Sequence, residues 1–116
     1  MSKKKVLVVD DWERMHSMWK QKLNNKVTIL SAFTIEQAEK IFATNPDCSA
    51  IVIDACVPGT SPTTLPLVRK IRETFGGPMI AISGQKSYRW KLMQAGCDHE
   101  STKGTLPQKV LEVLGI

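Results

Sequence analysis

The sequence predicts an open α/β fold, a doubly wound parallel sheet with helices on both faces. Two patterns and the chain length lead there. Five short strand-like runs, the first four of them apolar, alternate with stretches of helical periodicity along the chain. The apolar runs read as strands buried under helices, and the crossovers between them are short enough to be helical. Right-handed crossovers then leave the open doubly wound sheet as the simplest topology. The chain has 116 residues, and a closed barrel of eight such units needs about twice that length. No internal repeat, linker or low-complexity stretch divides it, so residues 1–116 are expected to form one domain.

The elements follow in order. Val6-Leu7-Val8-Val9 is the first strand, bounded by charge. Trp12, Met15, Trp19 and Leu23 then recur at helical spacing, with Arg14, Lys20 and Lys22 between them, which predicts a helix with both tryptophans in the core. Val27-Thr28-Ile29-Leu30 is the second strand. Thr34-Ile35-Glu36-Gln37 has the form of a capping box and starts a helix with Ile35, Ala38, Ile41 and Phe42 on its apolar stripe. Ala50-Ile51-Val52-Ile53 runs into Asp54 as the third strand. After a turn-rich segment, Leu65, Val68, Ile71 and Phe75 mark a third helix that tolerates Pro66 only in its first turn. Met79-Ile80-Ala81-Ile82 is the fourth strand, and a helix over about Ser87–Ala95 stops at Gly96. A polar fifth strand is expected around His99–Thr102, followed by a helix over about Leu106–Leu114 facing inward with Leu106, Val110, Val113 and Leu114.

Composition narrows the function. Hydrophobic residues make up 42% and charged residues 23%, a globular balance. No apolar run approaches the roughly 20 residues that cross a bilayer. The basic start Met1-Ser2-Lys3-Lys4-Lys5 leads into an apolar stretch too short for a signal peptide, so a cytoplasmic location is expected. Cys48, Cys56 and Cys97 form no CxxC pair and fit a reducing compartment as small buried thiols. The net charge of +5 permits contact with an anionic partner, but no segment concentrates it, and direct nucleic-acid binding is not expected.

In an open α/β sheet, ligands bind beyond the carboxyl ends of the strands. Asp10 and Asp11 follow the first strand, Asp54 the third, Ser83 the fourth and Lys103 the fifth. Taken singly, each has an ordinary explanation: a helix cap, a loop hydrogen bond, a solvated ammonium. Their joint placement at one edge argues for a site. Gathered carboxylates repel unless a cation neutralises them, and oxygen donors without a His or Cys pattern select Mg²⁺, Mn²⁺ or Ca²⁺ over zinc. A phosphoryl group brought to such a metal would meet Lys103 from the opposite side. Asp54 would then attack phosphorus as a carboxylate nucleophile, giving an aspartyl phosphate.

Val6-Leu7-Val8-Val9-Asp10-Asp11, Ile51-Val52-Ile53-Asp54 with Val57-Pro58, Ile80-Ala81-Ile82-Ser83 and Lys103 together resemble the receiver domain of two-component response regulators, over essentially the whole chain. The resemblance implies a flavodoxin-like sheet of five strands in the order 2-1-3-4-5, flanked by five helices. It implies Asp54 as the phosphoacceptor. The metal, Mg²⁺ with Mn²⁺ as an alternative, would be held by Asp10, Asp11, Asp54 and the backbone carbonyl of Cys56. Lys103 would pair with the phosphoryl oxygens, and the Ser83 hydroxyl would move toward them to start a conformational switch. Cys56 and Gln85 would flank the hydrolytic water and set the lifetime of the phosphate. Such a chain catalyses its own phosphorylation and slow dephosphorylation and is not a turnover enzyme.

The implied donor is a sensor histidine kinase or phosphotransfer protein, with Met15, His16 and Met18 on the first helix as contacts; His16 and His99 otherwise read as ordinary surface residues. The implied output is a downstream protein or output domain, or a homodimer, through the fourth helix, fifth strand and fifth helix, where Tyr88, Trp90 and Leu92 lie. Trp90 reads equally as a cover for the sheet. No output segment is visible in the sequence.

The chain departs from the family at four places. Gly104 stands where a proline usually follows the lysine, Glu100 replaces the switch aromatic, Pro62 replaces a glycine before the third helix, and the loop after Ser83 is a residue or two short. Three other readings compete. A pseudo-receiver would keep the fold without the phosphate cycle. A flavodoxin-like nucleotide binder would need a glycine- and hydroxyl-rich loop where Asp11-Trp12-Glu13-Arg14 stands. An aspartyl-nucleophile phosphatase would need an acid at Cys56.

Overall fold

A computed structural model describes residues 3–116, so Met1 and Ser2 of the basic start lie outside the described residues. The elements are β1 (Lys4–Val9), α1 (Glu13–Leu23), β2 (Val27–Ala32), α2 (Ile35–Thr44), β3 (Ala50–Asp54), α3 (Leu65–Arg72), β4 (Met79–Ile82), α4 (Lys86–Ala95), β5 (His99–Ser101) and α5 (Leu106–Leu114). All strands pair in parallel in the order β2-β1-β3-β4-β5. The expected topology is borne out. No helix among the described residues is long and apolar enough to cross a membrane.

The period-2 alternation of a strand sorts side chains to two faces, and here both faces are dry. Leu7, Val9, Ile51, Ile53, Met79 and Ala81 point to one face, where Ala38 of α2, Val68 and Ile71 of α3 and Leu92 of α4 cover them. Val6, Val8, Val52, Ile80 and Ile82 point to the other, against Met15, Trp19 and Leu23 of α1 and Leu106 and Val110 of α5. This is why the central runs carry no polar alternation: a polar side chain on either face would be buried without a partner. β5, at the sheet edge, is the exception, with Glu100 exposed and only Ser101 buried.

Local signals set the helix ends. Thr34 Oγ1 accepts the Gln37 N–H at 3.0 Å, and Gln37 Oε1 accepts the Phe33 N–H at 2.8 Å, so the capping box closes as its sequence predicts, one residue further back on the return side. Pro66 sits in the first turn of α3. Gly96 ends α4 at φ +140°, a conformation other residues rarely adopt, with the Arg72 side chain 3.1 Å from where a Cβ would stand.

One assignment needs correction. Trp12 is in phase with the α1 stripe but precedes the helix, at an extended N-cap position (φ −93°, ψ 95°), so its ring leaves the core and is 51% exposed. Trp19 is buried as expected.

Removing the Thr34 cap hydroxyl leaves an orphan amide at the start of α2. Thr34→Ala should lower unfolding stability by about 1 kcal/mol in chemical denaturation, with the slope of the transition unchanged.

Candidate functional site

The parallel strands end at one edge and deliver the acids there. Asp10 is fully buried, Asp54 is 5% exposed and Asp11 is open to solvent. One carboxylate oxygen from each lies within 4.8 Å of the others. Lys103, in the turn after β5, reaches across with its Nζ 2.9 Å from Asp10 Oδ2 and 3.2 Å from Asp54 Oδ2. Backbone amides hold one further oxygen of each acid. Asp10 Oδ1 accepts the Trp12 N–H at 2.9 Å, and Asp54 Oδ1 accepts the Cys56 N–H at 3.3 Å. Asp11 Oδ2 accepts the N–H of Gly59 at 3.1 Å, an amide presented by a left-handed turn residue at φ +84°. The β3–α3 loop is fixed in turn by Thr64, whose hydroxyl donates to the Asp54 carbonyl at 2.7 Å.

These contacts set the charges. Burial, and then the neighbouring Asp10 charge, push the Asp54 carboxyl above its ordinary range against the pull of Lys103. Burial pulls the Lys103 ammonium down, but its bonds to Asp10 and Asp54 outweigh that and hold its pKa above the usual value. Three carboxylates against one ammonium leave a formal charge of −2 at this edge. Asp10 Oδ2 is completely enclosed and meets no hydrogen-bond donor of good geometry, only the ammonium. An all-oxygen donor set with excess negative charge, one member open to solvent, fits a hard divalent cation. Asp10, Asp11 and Asp54 can hold a metal ion here.

Ser83 directly follows β4, buried, with its hydroxyl accepting the Gln85 N–H at 3.1 Å. Gln85 occupies the N-cap position of α4, its side chain making no cap bond. The Ser83 carbonyl accepts from Arg89 Nη1 at 2.7 Å, and Arg89 Nε donates to Glu100 Oε1 at 2.9 Å. The position expected to hold a switch aromatic therefore carries an ion pair that ties β5 to α4.

The structure also overturns the expectation for His16. It is 2% exposed, not a surface residue, and wedged under the site. Its Nε2 lies 2.7 Å from the Asp10 carbonyl, which can only accept, so Nε2 carries the proton and Nδ1 faces the Ser31 hydroxyl at 2.8 Å. The signal was available, because His16, Trp19 and Leu23 fall three and four apart on the buried stripe. Met15 is buried too, which leaves only Met18 of the expected α1 contacts exposed. Trp90 is 60% exposed and does not cover the sheet; His99 is half-buried. Sequence reasoning missed two more contacts, both on Lys103. The Trp12 ring centroid lies 5.5 Å from its Nζ, and Trp19 Nε1 donates to its carbonyl at 3.1 Å.

The five-stranded parallel sheet with its flanking helices is the fold of response-regulator receiver domains, as comparison with solved structures shows. A two-component response regulator from Clostridium difficile superposes with a TM-score of 0.82 at 20% identity, covering 97% of each chain. The Francisella response regulator 1452 receiver domain matches at 0.79 and 24% identity, again over 97% of each chain. A Burkholderia pseudomallei response regulator, described with a phosphorylated aspartic acid, a calcium ion and citrate, matches at 0.79 and 19% identity, over 96% of this chain and 66% of its own. No protein-family profile matches the chain. Nor does any curated protein.

Burial holds the His16 pKa below its ordinary 6.5, so the unfolded chain takes up the proton first. Its contribution is complete above about pH 6.5 and is lost as pH falls from there toward the folded-state pKa. The denaturation midpoint should drop as pH falls below about 6.5, with a shallower fall in His16→Gln; equal slopes would contradict the assignment.

Proposed function

We propose that the chain is a phosphoacceptor signalling domain of a two-component phosphorelay, with Asp54 taking the phosphoryl group from a phosphohistidine on a sensor kinase or phosphotransfer protein. The observation that carries this reading is the Lys103 ammonium lying 2.9 Å from Asp10 and 3.2 Å from Asp54 beside a carboxylate set able to hold a metal. The fold shared with response-regulator receivers, one of them described as phosphorylated on aspartate with a divalent ion, supports it.

Asp54 Oδ attacks phosphorus as the P–N bond to the donor imidazole breaks; the electron pair leaves with that nitrogen, which takes a proton from solvent. Lys103 keeps its positive charge and passes from Asp54 to an equatorial phosphoryl oxygen. Mg²⁺ or Mn²⁺, held by Asp10, Asp11, Asp54 and the Cys56 carbonyl, would supply the remaining charge neutralisation. Ser83, whose hydroxyl meets only the Gln85 amide, exchanges that bond for one to the phosphoryl group and carries the change toward α4 and β5. Cys56 and Gln85 flank the approach of the hydrolytic water. In this reading residues 1–116 act as one receiver unit in the cytoplasm, switching an interaction with a downstream protein, an output domain or a second copy.

Incubating the protein with Mg²⁺ and phosphoramidate should add one phosphoryl group by intact mass spectrometry, and Asp54→Ala should abolish it. A folded parent that gains nothing would favour the pseudo-receiver reading, to which Glu100 and Gly104 already incline. Titrating Mg²⁺ should change the fluorescence of Trp12, which directly follows the acid pair. Asp11→Asn should weaken that response at least about tenfold.

A further inference from the structure

Lys103 sits in the turn between β5 and α5. Gly104 follows it, exposed, with nothing within 4 Å of where a Cβ would stand, so neither a ring nor packing restrains the backbone there. Yet the ammonium meets two carboxylates at once, at 2.9 Å and 3.2 Å. Two sets of contacts supply the restraint. Within the turn, Thr105 Oγ1 meets the hydroxyls of Ser101 and Thr102, each at 2.9 Å. From outside it, the indole N–H of Trp19 donates to the Lys103 carbonyl at 3.1 Å, across 84 positions of sequence. Trp19 is 1% exposed and packed in the α1–α5 side of the core, so its N–H is a donor on a rigid mount. Trp12, at the other end of the same segment, turns its ring face toward the Lys103 ammonium at 5.5 Å.

We propose that Trp19 is a positioning residue for Lys103: its indole N–H fixes the lysine's main chain so that the ammonium meets the phosphoryl group on Asp54. The inference rests on the reading of Lys103 as a phosphoryl-binding cation. The competing account is that the carbonyl merely satisfies a buried indole, as any acceptor would. The two differ in whether the effect passes through the ammonium.

Trp19→Phe keeps a buried aromatic ring but removes the donor together with the fused pyrrole ring, so its packing loss is read separately, from the thermal midpoint. With Mg²⁺ and phosphoramidate, it should lower the saturating phosphorylation rate by about tenfold while the donor concentration for half-saturation stays put. In a Lys103→Ala background the same substitution should change the rate no further, while the thermal midpoint falls equally in both backgrounds. An equal rate loss with and without Lys103, or no loss at all, overturns the proposal. Labelling of Lys103 by a water-soluble activated ester, mapped by mass spectrometry against Lys20 and Lys109, needs no phosphorylation. It should rise selectively in Trp19→Phe. Unchanged labelling overturns the positioning role; a parent that labels as expected but takes no phosphate overturns the phosphorelay reading instead. If Trp19→Phe does not fold, the isostere with sulfur in place of the indole N–H carries the same tests.

Discussion

One ammonium between two buried carboxylates is the constraint on which the arrangement depends. Asp10 is enclosed completely, and removing a carboxylate from water costs several kcal/mol unless a charge and hydrogen bonds replace the solvent. Lys103 supplies the charge to Asp10 and Asp54 at once, while backbone amides of Trp12 and Cys56 supply the rest. The compensation is incomplete. One cation cannot neutralise three acids, so the edge keeps a negative excess, and the Asp10 charge adds to the larger effect of burial in raising the Asp54 pKa. A fold that places acids this way is stable enough to exist and poised to take up positive charge.

α1 shows how the core and the site share parts. Met15, Trp19 and Leu23 bury one face of the sheet, and that burial fixes the helix rotation. With the rotation fixed, His16 is driven beneath Asp10 and its Nε2–H reaches the Asp10 carbonyl, while Trp19 turns its N–H toward the Lys103 turn. Hydrophobic packing thus sets the orientation of two polar contacts, each with a buried donor whose partner belongs to the acid–lysine cluster. A core change that rotated α1 by even one position would disturb both.

The sheet was legible because both of its faces are dry. Continuous runs such as Val6–Val9 and Ile51–Ile53 have no other economical use, and the residue that ends each run is placed at the edge by chain geometry alone. That is why Asp10, Asp11, Asp54, Ser83 and Lys103 could be read from the sequence as one group. Trp12 could not, since helical phase does not tell a residue inside the helix from one at its cap, where the backbone turns away. For His16 the helical phase marks the burial, but the partners that make a buried imidazole admissible, Ser31 and the Asp10 carbonyl, lie 15 and 6 positions away. Pairing of that kind is a property of the assembled fold.

The surroundings of Ser83 bear on how the proposed switch can work without its usual aromatic. Ser83 is held at both ends, its hydroxyl by the Gln85 amide and its carbonyl by Arg89, which Glu100 steadies. The Arg89 side chain is largely buried, but Glu100 is open to water, so their ion pair belongs to a class that contributes about 0–1 kcal/mol. The amide-to-hydroxyl bond is neutral and adds a similar amount, about 0.5–1.5 kcal/mol. A bond from the Ser83 hydroxyl to a charged phosphoryl oxygen is of the stronger class, about 1.5–3 kcal/mol. The hydroxyl can therefore be drawn toward Asp54 at little net cost. The carbonyl that moves with it pulls on Arg89, a side chain already joined to β5. On the proposed reading, the contact that joins Ser83 to the α4–β5 face is ionic, through Arg89 and Glu100, at the place where the family's aromatic ring is expected.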